Sequence, residues 1–390
     1  VVWAGGPTGK ARERQRQGAD VVTWEGADPA PLERKAVPFR RLEELLGRES
    51  LDAAESAGRT WARVWGRLPL AEDRSFRDLV EWRGSSLLWT AEAFLRERTS
   101  GPRLARTADL ALRLLEATAP SEVDAFGLCA TDALLLARAA RSRGILFHDA
   151  PSSARPLRAP DPPSRGGRPS VLARLFAPSA APPPPPPLAG GPAGAAPLLV
   201  LGPGPQQADR LRPLLEAAGN DLGMPSVVVA LADVAPWATR RVHRAAAEAE
   251  AALRARLASL RGTPALLLSY THRGVGFADL AARDIETLLL GRLPAMVRLL
   301  EAAIELVQAA RPGLVLLVVP GRDERRTLVL AAQEAGRVAV ALDLAPGPAD
   351  WDRQDGGPQP SARIAWAPGT QTAEALARLR EAARGRVVAE

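Results

Sequence analysis

Cysteine is almost missing from this 390-residue chain, where Cys129 stands alone. One thiol excludes an internal disulfide and any cysteine-built zinc site. It fits a reducing compartment, so the cytoplasm, including the inner face of the membrane, is the expected location. Histidine is scarce too: His148, His243 and His272 are far apart. With a single Cys they give no dense metal shell, which leaves carboxylates as the ligands available to a hard cation such as Mg²⁺. No resident metal or cofactor is expected. Long apolar runs are absent as well. The longest, such as "LVLLVV" (314–319), fall far short of the ~20 residues that a membrane helix needs. The chain opens on Val1 without a basic and then apolar leader, which reads as a missing start. Lysine occurs only at Lys10 and Lys35, so arginine carries nearly all of the formal charge of +7.

That arginine bias, with abundant Ala, Pro and Gly, is the composition a GC-rich genome writes. A nucleic-acid footprint would gather the charge on one face with aromatics between. Here the signs alternate, as in "LREAARGRVVAE" (379–390), so no specific nucleic-acid partner is expected, while peripheral contact with an anionic membrane stays open. Hydrophobic residues at 46 % and charged residues at 24 % match a soluble globular protein, and the length allows two or three cores.

Proline, in contrast, is plentiful and concentrated. Residues 151–197 include "APPPPPPLAGGPAGAAP", a stiff extended spacer by composition. The flanks of this spacer match. A shift of 192 residues carries Pro120 onto Pro312, Leu114 onto Leu306, Ala139-Ala140 onto Ala331-Ala332, and Gly144 onto Gly336. A shift of 190 carries Arg83-Gly84 in "VEWRGSSLLWTA" (80–91) onto Arg273-Gly274 in "SYTHRGVGFADL" (269–280). On each side an apolar-striped helix ends at a proline, followed by a short strand, a helix closed by glycine and another strand. Upstream, residues 1–25 and 198–232 both read strand, Gly/Pro turn, helix, strand.

Such alternation predicts an α/β protein: two Rossmann-like parallel-sheet units, an internal duplication joined by the Pro-rich linker. The expected domains are 1–150, with a helical Trp-rich insert at about 30–95, then the linker 151–197, a second unit 198–345, and 346–390. The last stretch reads as a loop plus the βαβ start of a further domain, or as an addition to the second unit.

The turns carry most of the chemistry-bearing residues. "AGGPTGK" (4–10) and "LGPGPQQ" (201–207) follow strands and precede helices, where backbone N–H groups can hold phosphate. Gly202 and Gly204 are ligand candidates, although neither turn fits a P-loop or dinucleotide spacing, and tight βα turns without ligands use the same residues. In the Arg-Gly pairs, Gly84 and Gly274 permit close approach or positive φ, and Arg83 and Arg273 offer planar forks for carboxylate or phosphate. The alternative is a helix start with Arg273 paired to a local acid such as Asp279 or Asp284. Tyr270 adds a stacking face and His272 a titratable group. His148, at a strand end beside Asp149, is a candidate general base, as is His272; a structural His is the competing reading of His148. Asp323 and Glu324 sit at a predicted helix start, in a turn lining a cleft. Cys129 reads as a buried, inert thiol and His243 as solvated. Trp61, Trp65, Trp82 and Trp89 with Phe76 form either a core patch or a surface for sugars or partners.

The segment from "SYTHRGVGFADL" through "RLPAMVRLLEAAIELVQAARPGLVLLVVPGRDERRTLVLAAQEAGRVAVALDLAPG" is similar to the acceptor-side domain of GT-B-type glycosyltransferases and related surface-polysaccharide biosynthesis proteins. The resemblance covers roughly residues 198–390, with an echo in 1–150. It implies glycosyl transfer, a sugar nucleotide as substrate and a glycan acceptor as partner. This chain has Ala345-Pro346-Gly347 where such proteins place a His-Gly pair, and the resemblance puts their donor domain beyond Glu390. The resemblance therefore implies either part of an enzyme or a relative that binds without turnover. Two other classes stay open: a non-catalytic scaffold, and a nucleotide-dependent oxidoreductase or epimerase using the "GPGP" turn.

Overall fold

The computed structural model describes residues 1–71, 74–149, 196–319, 321–344, 359–365 and 372–384. The expected linker lies almost wholly outside these residues, as do Pro320 and Ala345-Pro346-Gly347. In the N-terminal half, strand β1 (Val2–Trp3) leads to helix α1 (Thr8–Arg16), β2 (Val22–Thr23) and β3 (Arg40–Arg41). Helix α2 (Leu42–Trp65), broken at Gly47, is followed by α3 (Gly101–Thr118), β4 (Glu122–Phe126), α4 (Ala130–Ser142) and β5 (Leu146–Asp149). The C-terminal half holds β6 (Leu198–Leu201), α5 (Pro205–Leu222), β7 (Ser226–Val229), α6 (Arg240–Leu260), α7 (Leu293–Ala310), β8 (Leu314–Leu317), α8 (Arg322–Glu334), β9 (Ala339–Asp343), β10 (Ala362–Ala365) and α9 (Thr372–Ala383).

Two five-stranded sheets result, with orders β3-β2-β1-β4-β5 and β7-β6-β8-β9-β10. Every pairing within them is parallel. Both are Rossmann-like orders, in which the chain reverses its direction of sheet growth beside the first strand, at β1/β4 and β6/β8. The strand β10 pairs with β9 through Val340↔Ala362 to Asp343↔Ala365, so this C-terminal stretch extends the second sheet.

Local sequence explains the long helices. Both α3 and α7 carry a proline in the first turn, where its missing N–H costs nothing. Both end on a left-handed residue, Ala119 and Arg311, just before a proline that cannot continue the helix. The glycines expected to close α4 and α8, Gly144 and Gly336, have φ of +70° and +67°. The N-caps of these two helices are Cys129 and Gly321, so α8 starts ahead of Asp323-Glu324. The acids fall in the first turn, where they favour the helix dipole.

The chain forms two compact units, and they are not its two halves. The first comprises Val1–Phe76, Leu95–Arg168 and Ala258–Glu286; the second comprises Arg77–Phe94, Pro169–Leu257 and Thr287–Glu390. Each unit thus includes a segment from the other half of the sequence. In the first, Trp3, Ala11, Val21, Leu32, Val37 and Phe126 form a core at the sheet. Beside α2, the rings of Trp61, Trp65, Phe76, Tyr270 and Phe277 nest with centroids 4.5 to 6.1 Å apart. Full burial of one such large apolar side chain contributes roughly 1.5–3 kcal/mol, so this nest is a principal anchor of 258–286. Trp61 and Trp65 are accordingly core residues.

In the second unit, alternate residues of one strand face opposite layers. Leu199, Leu201, Val315 and Leu317 pack against α7 and α8, whereas Leu198, Val200, Leu314 and Leu316 pack against α5 and α9. Both faces of the sheet are covered, as a parallel sheet requires.

Candidate functional site

The two Arg-Gly pairs occupy the same kind of structure. Each is the two-residue turn of a short antiparallel hairpin, Glu81–Trp82 with Ser85–Ser86 and Thr271–His272 with Val275–Gly276. Two-residue turns of this hand need positive φ at both central residues. Arg83 and Arg273 have φ of +50° and +47°, followed by Gly84 at +73° and Gly274 at +88°. Glycine adopts that region freely; an arginine there costs on the order of 1 kcal/mol. They are turn centres, not helix starts.

The side chains account for the arginines. In the second unit, Arg83 Nε donates to Glu301 Oε1 at 2.6 Å and Nη2 to Oε2 at 2.8 Å. Trp82 Nε1 also donates to Oε1 at 2.8 Å. Glu301 lies on α7 and its side chain is only 3 % exposed. Burial pushes this carboxyl up, but the bonds from Arg83 and Trp82 outweigh it and hold it below its ordinary value.

The first unit has a related arrangement around Asp109 on α3. His272 Nε2 lies 2.8 Å from Asp109 Oδ1, Arg113 Nε donates to Oδ2 at 2.5 Å, and Arg273 Nη1 reaches Oδ1 at 3.4 Å. Arg273 directs its other end to Glu116 at 2.6 Å, and Arg143 pairs with the same carboxylate. The partners of Arg273 are therefore Asp109 and Glu116, not Asp279 or Asp284. Asp279 pairs instead with Arg138 at 2.8 Å, and Asp284 accepts from Ser100 N and Oγ at 2.5 Å ahead of α3. Burial pushes Asp109 up, yet His272 and Arg113 prevail and lower it to about 2. A His oriented by a buried carboxylate is the geometry of a positioned general base. In the other hairpin an indole N–H makes the comparable bond without any acid–base capacity, so the bond itself docks the hairpin.

The remaining candidates are dispersed. Tyr270 is 2 % exposed, its ring enclosed by Trp61, Trp65 and Phe277, and burial pushes its hydroxyl well above the usual range. Asp323 is likewise 2 % exposed and does capping work. Its Oδ1 accepts from Ala93 N at 2.8 Å, and its Oδ2 from Phe94 N and Arg292 Nη2, each at 3.0 Å. Burial raises it to about 6 against these three donors. Glu324 shares Arg292 at 3.1 Å. His148 is on the edge strand β5, its Nε2 3.7 Å from Glu122 Oε2 with both side chains half-exposed.

At the second Gly/Pro turn, Gly202 has φ +91°, and a Cβ there would sit 2.3 Å from Val319 Cγ2. Gly204 N donates to Gln207 Oε1 at 2.9 Å, so part of that turn's donor capacity is already used. In the first turn, Ala4 N donates to Phe126 O at 2.8 Å. Cys129 is the N-cap of α4; its Sγ accepts from Asp132 N at 3.4 Å and burial raises its thiol.

Glu301 and Asp109 escaped the reading of motifs. Their signal is present: each is an acid set into the otherwise apolar stripe of a helix, and the two are 192 residues apart. Among the described residues no group of His, Cys, Asp or Glu is arranged to hold a metal ion, and no helix is long and apolar enough to cross a membrane. The fold defines a Rossmann-like α/β protein with two parallel sheets. No protein-family model, curated protein or solved structure matches the chain.

Proposed function

We propose that this chain is the sugar- or sugar-nucleotide-binding α/β pair of a GT-B-like protein of surface-polysaccharide or glycoconjugate synthesis, working in the cytoplasm. The observation that carries the reading is the pair of Rossmann-like sheets. Each has a Gly/Pro turn between its first strand and the following helix, beside the point where sheet growth reverses and where α/β folds receive nucleotides. In an active enzyme the reaction would be glycosyl transfer, with helix N-termini and arginines stabilising the departing nucleoside diphosphate. Exposed Leu267 and Leu268, in the helix preceding the second hairpin, support peripheral contact with a membrane. The two units are read as products of duplication, supported by the recurring hairpin and its helix carboxylate, Arg83 with Glu301 and Arg273 with Asp109.

A non-catalytic scaffold is favoured by one specific observation. Arg83, Arg273, Asp323 and Glu324, all ligand candidates, have carboxylate, guanidinium or backbone partners inside the protein. Thermal-shift measurements separate the readings. A rise in melting temperature with UDP-, GDP- or CDP-sugars and none with NAD(P) is the expected result. A response to dinucleotides alone supports the oxidoreductase class, and no response to either supports the scaffold.

A further inference from the structure

The second unit has a cavity of about 370 Å³ whose lining includes Trp82, Arg83, Arg241, Arg244, Glu248 and Glu301. Three of these groups are already committed. Glu301 is held by Arg83 and Trp82, and Arg83 uses both ends of its fork on Glu301. The indole of Trp82, pinned through its N–H, becomes a half-buried apolar wall of fixed orientation. Arg241, Arg244 and Glu248 remain, all exposed on one face of α6. Arg241 makes a long ion pair with Glu305 at 3.5 Å. Arg244 and Glu248 are one turn apart and of opposite sign, yet neither has an ion-pair or hydrogen-bond partner among the described residues.

The position of the arginines is also unfavourable in isolation. Arg240, Arg241, His243 and Arg244 crowd the start of α6 without an acidic residue in its first turn. Positive charge there opposes the helix dipole, and a bound anion would reverse the sign of that interaction. Glu305 answers this charge only at Arg241, and a local rule broken with so little internal compensation is what a ligand site leaves behind.

We propose that this cavity binds a phosphorylated sugar or polyol. The phosphate sits between the Arg241 and Arg244 guanidiniums, which suit its geometry. Glu248, an acceptor only, takes hydroxyl donors of the same ligand, and the Trp82 ring lies along its carbon skeleton. A bare anion has no use for Glu248 and is repelled by it, so the cavity selects for hydroxyl groups beside the phosphate. The proposal does not depend on glycosyl transfer.

Titration calorimetry of the full chain with glucose 6-phosphate, glucose and inorganic phosphate tests it. Glucose 6-phosphate binds tightest at low ionic strength and weakens as salt screens the arginines. The Arg241→Ala/Arg244→Ala variant, altered only at exposed positions, loses at least about tenfold in affinity, the scale of one charge-assisted contact. Glu248→Ala weakens glucose 6-phosphate but not inorganic phosphate. The proposal is overturned if the double variant, with its circular dichroism unchanged, binds as the parent does. It is equally overturned if glucose 6-phosphate gives no heat, or if inorganic phosphate binds as tightly. The thermal shift with UDP-sugars, repeated on the double variant, is retained, so the two readings fail separately.

Discussion

The Arg-Gly hairpins at 81–86 and 271–276 have the same backbone but different anchoring. In the second unit, one arginine makes two parallel bonds to Glu301 and a tryptophan supplies the third. In the first, Asp109 is shared among His272, Arg113 and a longer contact from Arg273, which also reaches Glu116. The first anchoring is concentrated and the second distributed. A buried acid with few partners is left exposed to desolvation when one is removed, whereas a shared one keeps compensation.

The largest expected effect follows directly. Arg83→Ala leaves Glu301 buried with only the indole donor, and the cost should be about 2–3 kcal/mol, below the fully buried range because the guanidinium is partly solvated. Hydrogen exchange at α7 amides measures it, and a loss confined to tenths of a kcal/mol would remove the contrast between the hairpins.

A pH experiment sharpens it. Asp323, raised to about 6, binds its proton more tightly when folded, so it costs stability above pH 6 and that cost disappears as pH falls towards 4. The gain, on the order of 2 kcal/mol, belongs to the second unit and is abolished by Asp323→Asn. Asp109, lowered to about 2, has the opposite sign. Its contribution is complete above about pH 4 and is lost only as pH falls towards 2. Unfolding followed between pH 7 and 4 should therefore report Asp323 and leave Asp109 silent.

Smaller changes complete the series. Arg273→Ala should cost about 1 kcal/mol, since His272 and Arg113 still satisfy Asp109. His272→Gln, which keeps a donor for Asp109, should cost less than about 1 kcal/mol and leave any sugar-nucleotide thermal shift intact. If that substitution abolished ligand response while stability held, His272 would be acting on a ligand and not as a docking group.

Much of the fold was legible. Strict helical stripes ending at Pro120 and Pro312, and short apolar strands between glycine-closed helices, led to two parallel α/β sheets because those signals are local. The packing partners of the hairpins were not legible. Nothing adjacent to Arg83 indicates that its acid lies 218 positions away, since ion pairs are set by the tertiary fold. Sequence reasoning identified Arg83, Arg273 and Asp323 as unusual and assigned their charge to ligands. In the structure that charge is answered internally. The groups facing solvent, Arg241 and Arg244, flank His243, which the sequence already placed in solvent. Tyr270 drew notice as the sole tyrosine, and its surroundings are aromatic core.

The interleaving of segments has a consequence for biogenesis. Residues 77–94 leave the ribosome long before most of the unit that houses them, and the earlier unit waits for 258–286 to supply Tyr270 and Phe277 to its aromatic nest. Neither body is finished by translating one uninterrupted stretch. Maturation must therefore be coupled across the whole length, and severing the polypeptide between the halves would strand an essential piece of each on the wrong fragment.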